Sequence, residues 1–487
     1  MSTSRIMRRP TGLEIELAQV RLRPGPASVA WDHLATDVRT VSGVAWPVVL
    51  SMLSFTAMGV VDTLFVAQLG RDELAGGALG NLAIMLVGAL FLGGLRGVNV
   101  VVAQAIGAGQ PSLATRAGWA GVGVALAAGV AIAGLSALAP EVAAVFGGSA
   151  PVQAFAAETF AVRALGGPAW LLLTAVGQAM QGRGDTRTPM VANVGANVLN
   201  IALNGMFVFG FGGFDVLGGG FLAVPKLGVV GSALATAISL GLGGVTLLFV
   251  FARRRGWAQP SWAEVRAVVG VGAPIGVRFL LDFGGWAALT ALMARVGAAE
   301  VAATQVAIRI VSVSFLPGHG VGEAASLLVG QAVGAGDIGR ARRVFAAATL
   351  LAVTVMAAFG VAFAVLPDAI LDLFAADAEV RAIGHSLLLW AAAFQVFDAI
   401  CLVAMGALGG AGDTRFVMWT SVVGTWLLLV PLGWWLGVVL GYGAAGVWAA
   451  VTAECAVKSV LFLWRWRAGG WQGKAVVQAG ALREGDA

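Results

Sequence analysis

The chain is predicted to be an all-α polytopic membrane protein whose twelve transmembrane helices form two six-helix bundles. Three observations carry that reading: an apolar composition, twelve runs long enough to cross a bilayer, and punctuation that recurs between the halves. Of 487 residues 59% are hydrophobic and 11% charged, with a mean hydropathy of +0.89. A chain so poor in charge cannot cover itself as a water-soluble globule; it takes lipid as its solvent.

The first 41 residues carry Arg5, Arg8, Arg9, Arg21, Arg23 and Arg39 among acids and prolines, without the apolar core of a signal peptide. They read as a cytosolic tail. Glu14, Glu16, Asp32 and Asp37 dilute the positive charge, which argues against a nucleic-acid-binding arm. From Val41 onward come apolar runs of ~20 residues or more, enough for ~30 Å of hydrocarbon as helix. The expected spans are 43–69, 77–104, 116–139, 152–179, 188–211, 229–251, 266–295, 301–332, 343–366, 380–409, 415–440 and 444–466. The Gly-rich stretch 210–228 has room for a hairpin outside the membrane. Pro47, Pro168, Pro274, Pro317 and Pro431 are expected to break or kink their helices.

An even number of spans leaves both termini on one side. If that side is cytoplasmic, it collects 21 of the 30 Lys and Arg, while the opposite loops hold only Arg71, Lys226, Arg295 and Arg381. The asymmetry orients both termini inward and accounts for the net charge of +5 without nucleic acid. The expected location is the plasma (inner) membrane.

The repeat is specific. Gly184-Asp185-Thr186-Arg187 returns 228 residues later as Gly412-Asp413-Thr414-Arg415, and Gln104-Ala105-Ile106-Gly107-Ala108-Gly109 returns at an offset of 227 as Gln331 to Gly336. Two offsets agreeing within one residue make the halves homologous. Six spans per half insert with the same orientation, so a pseudo-twofold along the membrane normal relates the bundles and leaves a cleft between them. The expected division is a cytosolic tail over 1–41, bundles over 42–255 and 256–467, and a cytosolic tail over 468–487.

In the fifth span Asn193, Asn197, Asn200 and Asn204 fall within about 60° of one another at 100° per residue, a polar stripe on an apolar helix. Such a stripe faces protein or water. Ionisable residues at bilayer depth each cost ~3 kcal/mol and therefore need a partner or a task. They are Asp62, Arg96, Arg163, Arg278, Asp282, Arg309, Glu323, Asp398, Glu454 and Lys458.

The stretch from Ala45 to Gly70, the QGRGDTRTPM turn followed by NVLNIALN, GVVGSALAT in the sixth span, VGQAVGAG in the eighth and GALGGAGDTR closing the tenth together resemble the multidrug and toxic compound extrusion (MATE) family. The similarity runs from about Val41 to Arg467. It implies a V-shaped twelve-helix antiporter, a monomer in lipid, that exports small organic, often cationic, compounds against inward protons or sodium ions. It implies no enzyme and no cofactor.

Rise per residue puts Asp62 ~26 Å up the first span and Asn200 and Asn204 ~18–24 Å up the fifth, with Thr236 at a similar level. Four polar side chains at one depth can surround a small cation, so Asp62, Asn200, Asn204 and Thr236 are the expected coupling site and candidate sodium ligands. No basic residue lies one turn from Asp62, and a buried carboxyl without counter-charge suits a proton carrier. The resemblance points to the same residues. Where an archaeal-type branch has a second Asp, this chain has Asn204, as the NorM-like branch does. The resemblance also implies that Asp282 and Asp398 act on substrate or a second cation, with Phe394 standing where a tyrosine is expected. Arg278, at i−4 from Asp282, offers a structural pairing instead, and Glu454 with Lys458 does the same. Glu323 with His319 one turn before it is a second relay candidate.

Motifs for soluble chemistry are missing. Lys474 in GGWQGKA is followed by Ala, so no phosphate loop drives this chain with ATP, and Cys401, Cys455 and the histidines lack metal spacing. Two rival readings remain: a lipid-linked saccharide flippase, which predicts Arg96, Arg163 and Arg309 lining the cleft, and a non-transporting scaffold or enzyme-complex subunit.

Overall fold

A computed structural model of the chain describes residues 26–210, 214–216, 219–221, 225–374 and 378–477. Arg5, Arg8, Arg9, Arg21 and Arg23 lie outside them. Among the described residues eleven single helices and one bent pair are long and apolar enough to span a bilayer. The first bundle runs α1 (Pro26–Ala67), α2 (Arg71–Gly107), α3 (Pro111–Phe146), α4 (Ala150–Leu165 with Gly167–Gly182), α5 (Arg187–Phe209) and α6 (Gly228–Arg255). The second runs α7 (Trp262–Val296), α8 (Ala298–Gly334), α9 (Ile338–Val365), α10 (Ala378–Gly410), α11 (Thr414–Val439) and α12 (Gly443–Arg467).

Helix α1 starts well inside the predicted tail. Between Pro26 and Gly43 nothing breaks a helix, and proline is tolerated in a first turn, so the helix continues beyond the apolar run that marks the membrane part. The kinks fall where proline removes a donor. The two parts of α4 meet at 49°, with Pro168 opening the second part, and Pro431 lies between two π-helical stretches of α11. Pro47, Pro274 and Pro317 lie inside continuous helices. The 210–228 connection carries the expected hairpin, β1 (Phe214–Val216) antiparallel to β2 (Gly219–Phe221).

Each bundle has its own core, one around Ile84, Leu95, Phe160, Leu171 and Phe251, the other around Leu328, Met356, Leu387 and Phe462. The inner part of α7 is shared: Val268 and Val271 join the first core, and Glu264 accepts from Arg116 Nε of α3 at 2.7 Å. The seam between bundles is made by glycine. Gly93 and Gly97 of α2 abut Gly276 and Gly272 of α7, close enough that an added Cβ on Gly272 would lie 1.9 Å from the Gly94 carbonyl oxygen. Nearer the outer side the close approaches stay within each bundle, Gly80 against Thr159 and Gly285 against Thr425.

On the face where residues 26 and 477 lie, called the inner face below, the two repeated motifs grip each other. Gln331 Nε2 of the second half donates to Gly182 O of the first at 3.3 Å, and Gln104 Nε2 of the first half donates to Gly410 O of the second at 2.9 Å. These carbonyls lie just before the two Gly-Asp-Thr-Arg turns, where Gly184 (φ 90) and Gly412 (φ 95) take the same left-handed conformation. Asp185 then accepts from Arg254 of α6 and Asp413 from Arg465 of α12, so the pairing too is repeated. The first part of the cytosolic tail expected over 468–487 packs against the bundles. Trp471 is fully buried and stacked on Trp466, and the Val476 and Val477 amides donate to Gln104 Oε1 at 2.8 and 3.1 Å. Residues 468–477 thus strap the second bundle to the first. Residues 478–487 lie outside the described residues.

Candidate ion-coupling and substrate sites

The asparagine stripe docks α5 on α1. Asn197 Nδ2 donates to Ser54 O at 2.8 Å, and Ser54 Oγ returns a bond to Asn193 O. Two turns further, Asp62 Oδ1 accepts from Asn200 Nδ2 at 3.1 Å and from Asn204 Nδ2 at 2.8 Å, while Oδ2 accepts from Thr236 Oγ1 of α6 at 2.7 Å. All four expected residues therefore meet, and each is at least nine-tenths buried. Apolar helices position them because only this face of α5 has polar groups to bury, and each needs a partner.

Two details differ from expectation. Asp62 does have a counter-charge: Arg163 Nη1 of α4 stands 3.8 Å from Oδ2, too far for a hydrogen bond but close enough to pair electrostatically. It comes from another helix, so no local spacing reveals it. In addition both asparagines turn their nitrogens, not their oxygens, to the carboxylate, so the set as arranged stabilises an anion; their Oδ1 atoms have no partner among the described residues. A cavity of about 40 Å³ reaches Asp62 past Asn81, Thr159, Arg163 and Ser232.

In the second half the expected acids do not form one open site. Asp282 pairs with Arg278 at 3.2 Å, the local pairing its spacing allows. Asp398 is 7% exposed; Oδ1 lies 3.9 Å from Cys455 Sγ and Oδ2 has no partner among the described residues. Phe394 packs into the second core. Lys458 bridges to Glu454 at 2.6 Å and is within electrostatic reach of both Asp282 and Asp398. Among the described residues no three His, Cys, Asp or Glu side chains gather as for a metal ion.

A third constellation lies between the bundles. Arg96 of α2 forms an ion pair with Glu323 of α8, its guanidinium 4.7 Å from the centre of the Phe279 ring of α7 and 3.4 Å from His319 Nε2. Arg96, His319 and Glu323 line a cavity of about 50 Å³. Arg309 is exposed on α8.

Twelve spans in two repeated bundles, with carboxylates buried at mid-depth in each and an ion pair between them, define a polytopic membrane transporter rather than an enzyme. The comparisons agree. The MatE family profile matches residues 47–206 and 274–435, one stretch per repeat. A probable multidrug resistance protein NorM from Pseudomonas putida is 30% identical over 92% of this chain and 99% of its own length, and one from Burkholderia pseudomallei is 31% identical over 94% and 96%. The chain belongs to the MatE family, in its NorM-like branch. Solved structures share the fold: an outward-facing multidrug resistance MATE family transporter superposes with a TM-score of 0.80 at 21% identity, covering 90% of this chain and 97% of that one. A Vibrio cholerae MATE transporter in its bent form gives 0.79 at 20% identity, covering 90% and 98%.

Proposed function

We propose that this protein is a secondary active antiporter that exports small organic, lipophilic cationic compounds in exchange for inward H⁺ or Na⁺. It works as a monomer in the plasma membrane with both termini cytoplasmic. The observation that carries the reading is the Asp62 site: a carboxylate in an apolar bundle, held by Asn200, Asn204 and Thr236 from two other helices and faced by Arg163. The relatives named as multidrug resistance proteins supply the substrate class.

A cation arriving at Asp62 competes with Thr236 and Arg163 for Oδ2, loosening α1 from α4 and α6. Sodium binding further requires both amides to reverse and offer their oxygens. Either change alters how α1 sits against α8, where Gly320 meets Val49 and the Ala45 carbonyl, and so biases the bundles between their two arrangements. One charge moving down 100 mV supplies ~2.3 kcal/mol, roughly a fifty-fold gradient of a neutral substrate. The flippase reading is weakened because Arg96 and Arg163, two of the three basic residues it needs in the cleft, each face an acid.

The test is exchange by purified protein in liposomes. Ethidium should move against an imposed pH gradient or a sodium gradient, and Asp62→Asn should stop it with the protein still inserted. Absence of movement under both gradients in the wild type removes the antiporter reading and leaves the scaffold.

A further inference from the structure

The acids expected to receive a cationic substrate are poorly disposed for it: Asp398 is enclosed, Asp282 holds Arg278, and Phe394 is in the core. The inter-bundle constellation has the chemistry they lack. Recognition of an organic cation asks for a carboxylate, an aromatic face and little water. Glu323 and His319 of α8, which line the cavity between the bundles, and the Phe279 ring of α7, which faces the same guanidinium, provide this set. The group already seated there is itself an organic cation on an alkyl stem, the guanidinium of Arg96 from the opposite bundle. Its contacts are those a bound substrate would make: an ion pair to Glu323, the Phe279 ring at 4.7 Å and His319 Nε2 at 3.4 Å. Apolar walls from Val100, Ile275 and Leu402 complete the cavity.

We propose that Glu323, Phe279 and His319 form a seat for substrate cations of the guanidinium or quaternary-onium class, and that Arg96 is a tethered occupant which a substrate must displace. This deepens the antiporter reading by naming a substrate site. Displacement has a mechanical result. Arg96 belongs to the first bundle and Glu323 to the second, so their pair closes the floor of the cleft, and a substrate that takes Glu323 frees one bundle from the other at that level. Substrate binding and opening are thereby the same event. Arg278, paired with Asp282 and 4.9 Å from the Phe279 ring centre, keeps that ring in place.

Removing Arg96 leaves the half-buried Glu323 carboxylate without its paired cation, and an outside cation can take that place. The experiment is equilibrium binding of tetraphenylphosphonium to purified protein in detergent, which needs neither transport nor a driving ion. Arg96→Ala should bind it about ten-fold more tightly than wild type, the order expected for a lost competitor with partly desolvated cation–π contact. Methylguanidinium should compete in the variant and not in the wild type. Adding Glu323→Gln to Arg96→Ala should erase the gain. Arg96→Met, which keeps the bulk of the stem and drops the charge, gives the same measurement if the alanine variant does not purify as a monodisperse species. Unchanged or weaker binding in the Arg96 variant overturns the proposal, as does a gain that survives Glu323→Gln. A wild type that binds as predicted but exchanges no cation in liposomes would instead sink the antiporter reading and leave the seat standing.

Discussion

Asp62 shows what the sequence discloses about one residue and what it hides. Its meeting with Asn200 and Asn204 was legible, because a 100° step places both amides on one face and rise per residue sets their height. Arg163 was not legible as its partner: contact between helices distant in the chain leaves no periodic mark. The inward turn of the asparagine nitrogens was equally hidden, since sequence gives an amide's place and not its direction. Asp62→Asn removes the exchangeable charge and should reduce drug resistance of cells to the level of an empty vector, with unchanged membrane abundance by immunoblot. Arg163→Met leaves the carboxylate only neutral donors. Affinity for the driving cation should then rise, read as a several-fold lower cation concentration for half-maximal exchange. No change there would mean that the 3.8 Å approach has no bearing on coupling.

At the scale of the element, composition placed all twelve helices, because an apolar run of sufficient length has few alternatives in lipid. What it missed lies at their ends. The start of α1 at Pro26 and the docking of residues 468–477 involve ordinary amphipathic sequence, in which nothing separates a packed segment from a solvated one. The glycine seam was present as letters but not as a contact: Gly93, Gly97, Gly272 and Gly276 show the small-residue spacing, and only the fold reveals that the two pairs face each other. Gly272→Leu should wedge α2 from α7 and open the inner seam, raising thiol-reagent labelling of a cysteine introduced at Ser326, which lines the inter-bundle cavity. In α12, Glu454 is 3% exposed and Lys458 neutralises it. Lys458→Met should cost ~3–5 kcal/mol by stranding that carboxylate, and Glu454→Gln with Lys458→Met much less. Thermal unfolding of the purified variants decides between these outcomes.

The whole molecule is where the repeat explains itself. The sequence predicts two homologous halves from Gly-Asp-Thr-Arg and the Gln-containing motif, but gives no reason why those residues in particular recur. The reason is that each half's glutamine holds the carbonyl preceding the other half's turn, so the motifs are the two sides of one reciprocal joint. The joint is not fully symmetric. Gln104 also receives the Val476 and Val477 amides, whereas the described contact of the Gln331 side chain is the longer one to Gly182. Deleting residues 471–487 should therefore shift the protein toward an open inner face, measured as faster modification of cysteines placed at the seam. A truncated protein with unaltered modification rates would show the strap to be passive.

That imbalance gives the motion a direction. With one grip reinforced by Val476 and Val477 and its counterpart without such a contact among the described residues, the halves should part as a door does, swinging from the Gln331 edge while the Gln104 edge serves as the jamb. Paired spin labels across the two edges would then report unequal distance changes during turnover, the larger at Gly182. Two identical halves would open evenly; the contact of Val476 and Val477 with one grip alone gives this chain a handed stroke.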